Sequence, residues 1–285
     1  MKRRILVLAV LALLALGSGV TAQQIGPKNG SLVIVGGAMR DQAIVQKFIE
    51  LAGGPDAPIV IIPTAGGGED GDYGDDCRCL RQFKAAGAKK LTVLHTYDRS
   101  AAETDAFVRP IREAGGVWFG GGRQWRLADS YLNTKTHHEL WALLDRGGVI
   151  GGSSAGATIQ GSYLARGDTR TNTIMMGDHE EGLAFVKNVA IDQHLLRRNR
   201  QFDLLEITAA RPELLGIGLD ENTAIIVQGD EFEIMGESYV VIYDNQKQID
   251  SGGNFYFLGV GDRFNLATRE AFRGEGSIER VVERR

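Results

Sequence analysis

An α/β fold, with a doubly wound and mostly parallel sheet between layers of helices, is what this sequence predicts. Three observations carry the prediction. Short, continuous runs rich in Val and Ile recur along the first half of the chain, the pattern of strands buried on both faces. Segments of helical composition separate these runs in βαβα order, which makes neighbouring strands parallel. The runs also end repeatedly in glycine, and in open α/β sheets the carboxyl ends of strands are where sites form.

The first run, 31–35, ends in Gly36-Gly37, and a helix is expected over 41–52. The second, 57–62, ends in Pro63-Thr64, with a helix at 79–86. A strand at 91–94, a helix at 101–114 and a strand at 117–119 follow, the last ending in three glycines. A helix at 137–146 leads to Val149-Ile150, which stops at Gly151-Gly152, and a further helix is expected over 157–164. Beyond residue 222 the pattern changes. Runs at 224–227, 232–235, 239–243 and 255–258, split by Gly-Asp, Gly-Glu and Asp-Asn turns, read as a β-rich closing section. No linker or internal repeat marks a second unit, so residues 23–285 read as one domain with its core over about 30–270.

Residues 1–22 stand apart from the fold. Lys2, Arg3 and Arg4 form a basic start, 5–16 an apolar run too short for a membrane span, and Val20-Thr21-Ala22 a small-residue cleavage site, the signature of a signal peptide. The mature protein is therefore expected to be secreted or periplasmic and free of the membrane; an uncleaved anchor is the alternative. Without that segment the net charge falls from −4 to −7, which argues against sequence-independent nucleic-acid binding. The two cysteines, Cys77 and Cys79, exclude a disulfide scaffold or a four-cysteine zinc site, and leave a very small ring or two thiols as alternatives. They adjoin an acidic, glycine-rich run at 66–76, either a solvated loop or a wall for a cationic group; its spacing is not that of a calcium loop.

The most informative strand end is Gly152-Ser153-Ser154-Ala155-Gly156, a G-x-S-x-G elbow. A sharp strand-to-helix turn leaves no room for Cβ atoms beside the central serine and presents its Oγ at a helix start, where the Ala155 N–H can meet an oxyanion. A serine nucleophile needs a base and an acid to orient it. His194 follows the apolar run 189–191, at a strand end; His137 and His138 sit in a helix beside Glu139, and His95 is a weaker candidate. Glu221 follows another apolar run, 215–217, and Asp168 is the alternative acid. There is no compact metal-ligand spacing, and neither metal nor cofactor is expected.

Ser-Ala-Gly-Ala at 154–157, Asp-Gln-His at 192–194 and Leu-Asp-Glu-Asn-Thr-Ala at 219–224 resemble the cyanophycinase branch of peptidase family S51. So do Phe-Gly-Gly-Gly-Arg-Gln at 119–124 and Gly-Asp-Arg-Phe at 261–264, which extends the resemblance over about 31–269. The resemblance implies a serine-type hydrolase on a class I glutamine-amidotransferase-like sandwich. Ser154 would be the nucleophile, His194 the base and Glu221 the orienting acid, with Gly121 and Ala155 at the oxyanion. It also implies substrate contacts from Gln124, Asp192, Gln193, Arg198 and Arg200. Two positions depart from the family pattern: a third arginine is replaced by Asp203, and the residue after His194 is Leu195 instead of an aromatic. The implied substrate is cyanophycin, a zwitterionic polymer cut to β-Asp-Arg dipeptides. Another S51 activity on acidic or isoaspartyl peptides is the nearest alternative, and a catalytically dead binding module a more distant one. A homodimer stands as an open alternative for the assembly.

Overall fold

The computed structural model describes residues 24–68, 73–74, 76–247 and 253–274. Residues 1–22, expected to be a signal peptide, and residues 69–72 and 75 of the acidic run lie outside the described residues. The first half of the chain alternates as expected: β1 (Ser31–Val35), α1 (Gln42–Leu51), β2 (Pro58–Ile62), α2 (Arg81–Ala85), β3 (Lys90–Val93), α3 (Arg99–Ala102), α4 (Asp105–Glu113), β4 (Gly116–Phe119), α5 (Gln124–Tyr131), α6 (Lys135–Asp145) and β5 (Val149–Ser153). The helix expected over 101–114 begins only at Asp105. Thr104 caps it by accepting from the Phe107 N–H, and a capping side chain at that position separates α3 from α4.

After β5 the chain runs through α7 (Ala155–Thr158), β6 (Gly161–Tyr163), β7 (Val186–Gln193), α8 (Leu204–Ala210), β8 (Leu215–Leu219), β9 (Thr223–Gln228), β10 (Glu231–Gly236), β11 (Val240–Tyr243), β12 (Tyr256–Leu258), β13 (Arg263–Asn265) and β14 (Glu270–Phe272). The helix expected over 157–164 is thus only four residues long and begins at 155. Thr158, Ile159 and Gly161 are poor helix formers, and the chain instead pairs in parallel with β7.

Two sheets result. The larger has the order β14-β13-β10-β9-β1-β5-β4-β2-β3, parallel from β1 to β3 and antiparallel from β9 outward. The smaller has the order β12-β11-β8-β7-β6. The β-rich closing section is divided between them: β9, β10, β13 and β14 extend the large sheet, while β11 and β12 join the small one.

Alternation along β1 shows how the layers stack. Val33 and Val35 face Ile44, Val45 and Phe48 of α1, while Leu32 and Ile34 face a core shared with α4–α6 and the inner side of the small sheet. That shared core contains Phe119, Leu127, Leu143, Ile191 and Ile217, all buried. The outer face of the small sheet is covered by Leu204 and Ile207 of α8. Among the described residues no helix is long and apolar enough to cross a membrane. Cys77 and Cys79 are joined by a disulfide.

Candidate active site

At the end of β5 the backbone of Ser154 is forced to φ 58°, ψ −114°. The glycines on either side make this possible. A Cβ at Gly152 would lie 2.1 Å from the Gly156 carbonyl oxygen, and one at Gly156 would lie 2.2 Å from that of Phe119. The Ser154 N–H donates to Val35 O at the end of β1 (3.0 Å), which anchors the elbow to the neighbouring strand. The Ser154 side chain therefore points toward the gap between the two sheets.

His194 arrives from the other side of that gap, at the end of β7. Its backbone is also left-handed (φ 55°), and its N–H donates to Gly36 O (2.7 Å), again at the end of β1. Its Nε2 lies 2.9 Å from Ser154 Oγ and its Nδ1 lies 2.7 Å from Glu221 Oε1. With Nδ1–H donating to the carboxylate, Nε2 is free to accept the serine proton. Burial lowers the His194 pKa below its ordinary 6.5; the Glu221 hydrogen bond opposes this, and the charge of Arg198 adds to it. The imidazole is therefore uncharged near neutrality, the form a general base needs.

Glu221 lies between β8 and β9, the crossing from small sheet to large. Its neighbours fix that crossing. Asp220 accepts from the N–H groups of Leu196 (3.0 Å) and Arg197 (2.9 Å) and from the Ser238 hydroxyl (2.7 Å). Asn222 Oδ1 accepts from the N–H groups of Arg40 and Asp41, both at 2.7 Å. Three consecutive side chains thus hold the turn after His194, the imidazole itself and the loop before α1. Gly37, at φ 121°, forms the floor beneath the ring: a Cβ there would lie 2.2 Å from His194 Cε1. These supports were missed at the level of sequence. The signals were a Gly-Gly pair closing a central strand and an unbroken polar triplet at a strand end.

Gly121 sits against the serine, where a Cβ would lie 3.3 Å from Ser154 Cβ. Its turn is held by hydrogen bonds from Gly120 N to Ile62 O and from Arg123 N to Ala65 O. Neither the Gly121 nor the Ala155 N–H donates to an acceptor among the described residues, so both remain available to an oxyanion.

The remaining expected contacts divide. Arg198 is exposed and makes no ion pair among the described residues. Gln124 is fully buried; its Nε2 donates to Ala165 O and Arg166 O, leaving Oε1 without a partner among the described residues. Asp192 is held within the chain: its carboxylate is 0% exposed and accepts from Arg166 Nε (2.8 Å) and Nη2 (3.0 Å). Arg166 also pairs with Asp203, the residue standing where the family pattern has an arginine. Arg200 is held internally as well: it is buried, and its Nη1 donates to the main-chain oxygen (3.0 Å) and side-chain oxygen (3.2 Å) of Gln193, itself 1% exposed.

Asp168 does not reach His194; its carboxylate accepts from the N–H groups of Arg170 and Thr171. His137 contacts Leu183 O, and burial lowers its pKa. His179 is bridged to Asp178 and Asp129; burial acts against protonation there, but those two hydrogen bonds raise the pKa. Among the described residues no group of three or more His, Cys, Asp or Glu side chains is arranged to hold a metal ion.

Residues 32–235 match the model of peptidase family S51. The chain is 32% identical over 267 residues to a cyanophycinase of Geminocystis herdmanii, covering 86% of this chain and 97% of that one. It is 30% identical over 261 residues to a cyanophycinase of a Nostoc species, covering 84% and 86% respectively. The crystal structure of a peptidase from an acI-B1 actinobacterium superposes with a TM-score of 0.61 at 23% identity, covering 86% of this chain and 98% of that one. A peptidase E protein from Listeria monocytogenes shares the fold at a TM-score of 0.53 and 18% identity, covering 73% and 99%.

Proposed function

The chain belongs to peptidase family S51, on its cyanophycinase-like side, and from that premise we propose that it is an exported serine-type hydrolase that cleaves cyanophycin to β-Asp-Arg dipeptides. The observation that carries the mechanism is the unbroken hydrogen-bonded line Ser154–His194–Glu221 across the two sheets. Ser154 Oγ attacks the scissile carbonyl carbon as its proton passes to His194 Nε2. The oxygen that gains charge accepts from the N–H groups of Gly121 and Ala155. His194 then gives the proton to the departing amine nitrogen, the C–N bond breaks, and an ester on Ser154 remains. Water repeats the sequence in reverse roles: its proton goes to Nε2, its oxygen bonds to the acyl carbon, and the ester bond breaks with return of the proton to Oγ. Glu221 keeps the imidazole in the required tautomer and stabilises its cationic form.

Export rests on the basic, apolar and small-residue segments at 1–22. One observation favours a second reading, an S51 peptidase acting on aspartyl or isoaspartyl peptides. Asp192 and Arg200 are both held internally, so the pair of opposite charges that would grip a zwitterionic polymer is reduced to the exposed Arg198. Incubating the mature protein with insoluble cyanophycin and, separately, with Asp- and isoaspartyl-initiated peptides tests the two readings. Release of β-Asp-Arg, detected by mass spectrometry and absent with Ser154→Ala, is the expected result. Cleavage of the short peptides alone would establish the second reading.

A further inference from the structure

Arg166 is 2% exposed, yet it takes no part in the acyl transfer. All three of its guanidinium nitrogens are engaged. Nε (2.8 Å) and Nη2 (3.0 Å) donate to the two oxygens of Asp192, Nη2 donates also to Asp203, and Nη1 donates to Asn172 O (2.9 Å). The main chain adds a further tie, since Arg166 O accepts from Gln124 Nε2 (2.9 Å) at the start of α5. One residue thus joins the segment after the Gly121 turn, the end of β7 two residues before His194, and the turn that follows His194.

That turn carries a charge beside the reacting atoms. The Arg198 N–H donates to His194 O (3.0 Å), the Arg200 N–H to Leu195 O (2.7 Å) and the Asp203 N–H to Arg200 O (3.0 Å). These bonds shape the turn, and side chains fix it at both ends. Asp220 holds Leu196 and Arg197 at its start. At its far end Arg166 holds Asp203, and the Tyr243 hydroxyl donates to Gln201 O (2.8 Å). Arg198 lies between the two anchors, exposed, and close enough to the imidazole for its charge to act on it. The planar fork of Arg166 suits the far anchor: one edge meets Asp192 bidentately while Nη2 also reaches Asp203, a span that the single point charge of a lysine does not reproduce.

We propose that Arg166 is a positioning residue for substrate recognition: by clamping Asp203 to Asp192 it fixes the turn after His194, so that Arg198 stands over the site as the cation that meets a substrate carboxylate. The inference rests on Ser154 being the nucleophile, and it deepens that reading by naming what places the one exposed charge. It holds for either substrate class, since cyanophycin and aspartyl peptides both carry free carboxylates.

Removing Arg166 itself would strand the buried Asp192 carboxylate and endanger the fold. The clamp is better opened at Asp203, whose side chain is 35% exposed and makes no capping bond to α8. Two fluorophosphonates of equal length, one ending in a carboxylate and the other in its primary amide, are reacted with the full mature protein, with Asp203→Asn, with Arg198→Ala and with the double variant. Labelling at Ser154 is followed by intact mass. The unaltered protein is expected to react roughly ten-fold faster with the carboxylate probe, the scale of a hydrogen bond to a charged group. Asp203→Asn is expected to lose most of that preference while its rate with the amide probe stays within about two-fold, and Arg198→Ala to abolish it. In the double variant the ratio is expected to equal that of Arg198→Ala, because the two changes act through one charge. No preference in the unaltered protein, an unchanged ratio in Asp203→Asn, or an equal fall with both probes would overturn the positioning role while leaving Ser154 as nucleophile. So would a ratio in the double variant below that of Arg198→Ala. Absence of labelling by both probes in the unaltered protein would overturn the nucleophile and this inference with it.

Discussion

His194 is held at four points: its backbone by Gly36, its two ring nitrogens by Ser154 and Glu221, and its ring face by Gly37. Each contact predicts something different. Ser154→Ala removes the nucleophile and is expected to lower kcat by on the order of a million-fold with the melting temperature nearly unchanged. Glu221→Gln keeps the shape but loses the charge, and a fall of about ten-thousand-fold is expected. The pH profile follows from the direction of the His194 shift. Because burial holds the folded-state pKa below 6.5, the ring stays neutral to lower pH than a free imidazole, and the acid limb of kcat/KM is expected below 6.5. Stability moves with the same sign: as pH falls through 6.5 the unfolded chain takes up the proton first, so this residue's contribution is complete above 6.5 and declines below it. Arg198 is one of the groups that depress the pKa, so Arg198→Ala is expected to shift the acid limb to higher pH. A limb that stays in place in that variant would show that the Arg198 charge does not reach the imidazole.

Between residue and molecule stand the turns that carry the side chains, and here the sequence was legible unevenly. The elbow could be read because its requirement is local: small residues must flank a serine on a sharp turn, and Gly152 and Gly156 each stand where a Cβ would strike a carbonyl. The positions of His194 and Glu221 could be read because each follows an apolar run that became a strand. Asp192 and Arg200 were not legible in the same way. Whether a charged side chain faces outward or meets an internal partner depends on residues distant in the chain, here Arg166 and Gln193. The floor under the imidazole was equally hidden, because Gly37 closes one strand while the ring it accommodates ends another. That contact gives a test at this scale. Gly37→Ala places a methyl 2.2 Å from His194 Cε1 and asks Ala to adopt φ 121°, which costs on the order of 1–3 kcal/mol in the backbone alone. A large loss of kcat with a melting temperature only a few degrees lower is expected. Full activity in this variant would mean that the β1 turn and the imidazole move independently.

At the scale of the molecule, the site exists because two sheets bring their strand ends together around the end of β1. The large sheet supplies Ser154 from β5, the small sheet supplies His194 from β7, and Glu221 sits on the connection between β8 and β9. The mixed closing section, anticipated only as β-rich, ties the two together by sending strands to both. The same architecture holds the start of the described chain. The Ile25 and Gly26 N–H groups donate to Asp230 Oδ1 (2.7 and 3.0 Å), and Ile25 O accepts from the Lys187 N–H (2.9 Å). These bonds attach the start of the described chain to both halves of the molecule, only a few residues after the expected cleavage between Ala22 and Gln23. Cleavage there would leave every one of them in place. Protein recovered from outside the cytoplasm is therefore expected to begin at Gln23 by intact mass, and a chain expressed without residues 1–22 to melt at the same temperature as the exported one. Asp230→Ala is the contrasting case. Two donors lose a charged acceptor, worth roughly 1–3 kcal/mol, and a domain of this size shifts by about 2–4 °C per kcal/mol. A melting temperature several degrees lower is expected. If removing residues 1–22 cost as much as Asp230→Ala, the segment would belong to the folded domain, and the reading of it as a cleaved signal would fail.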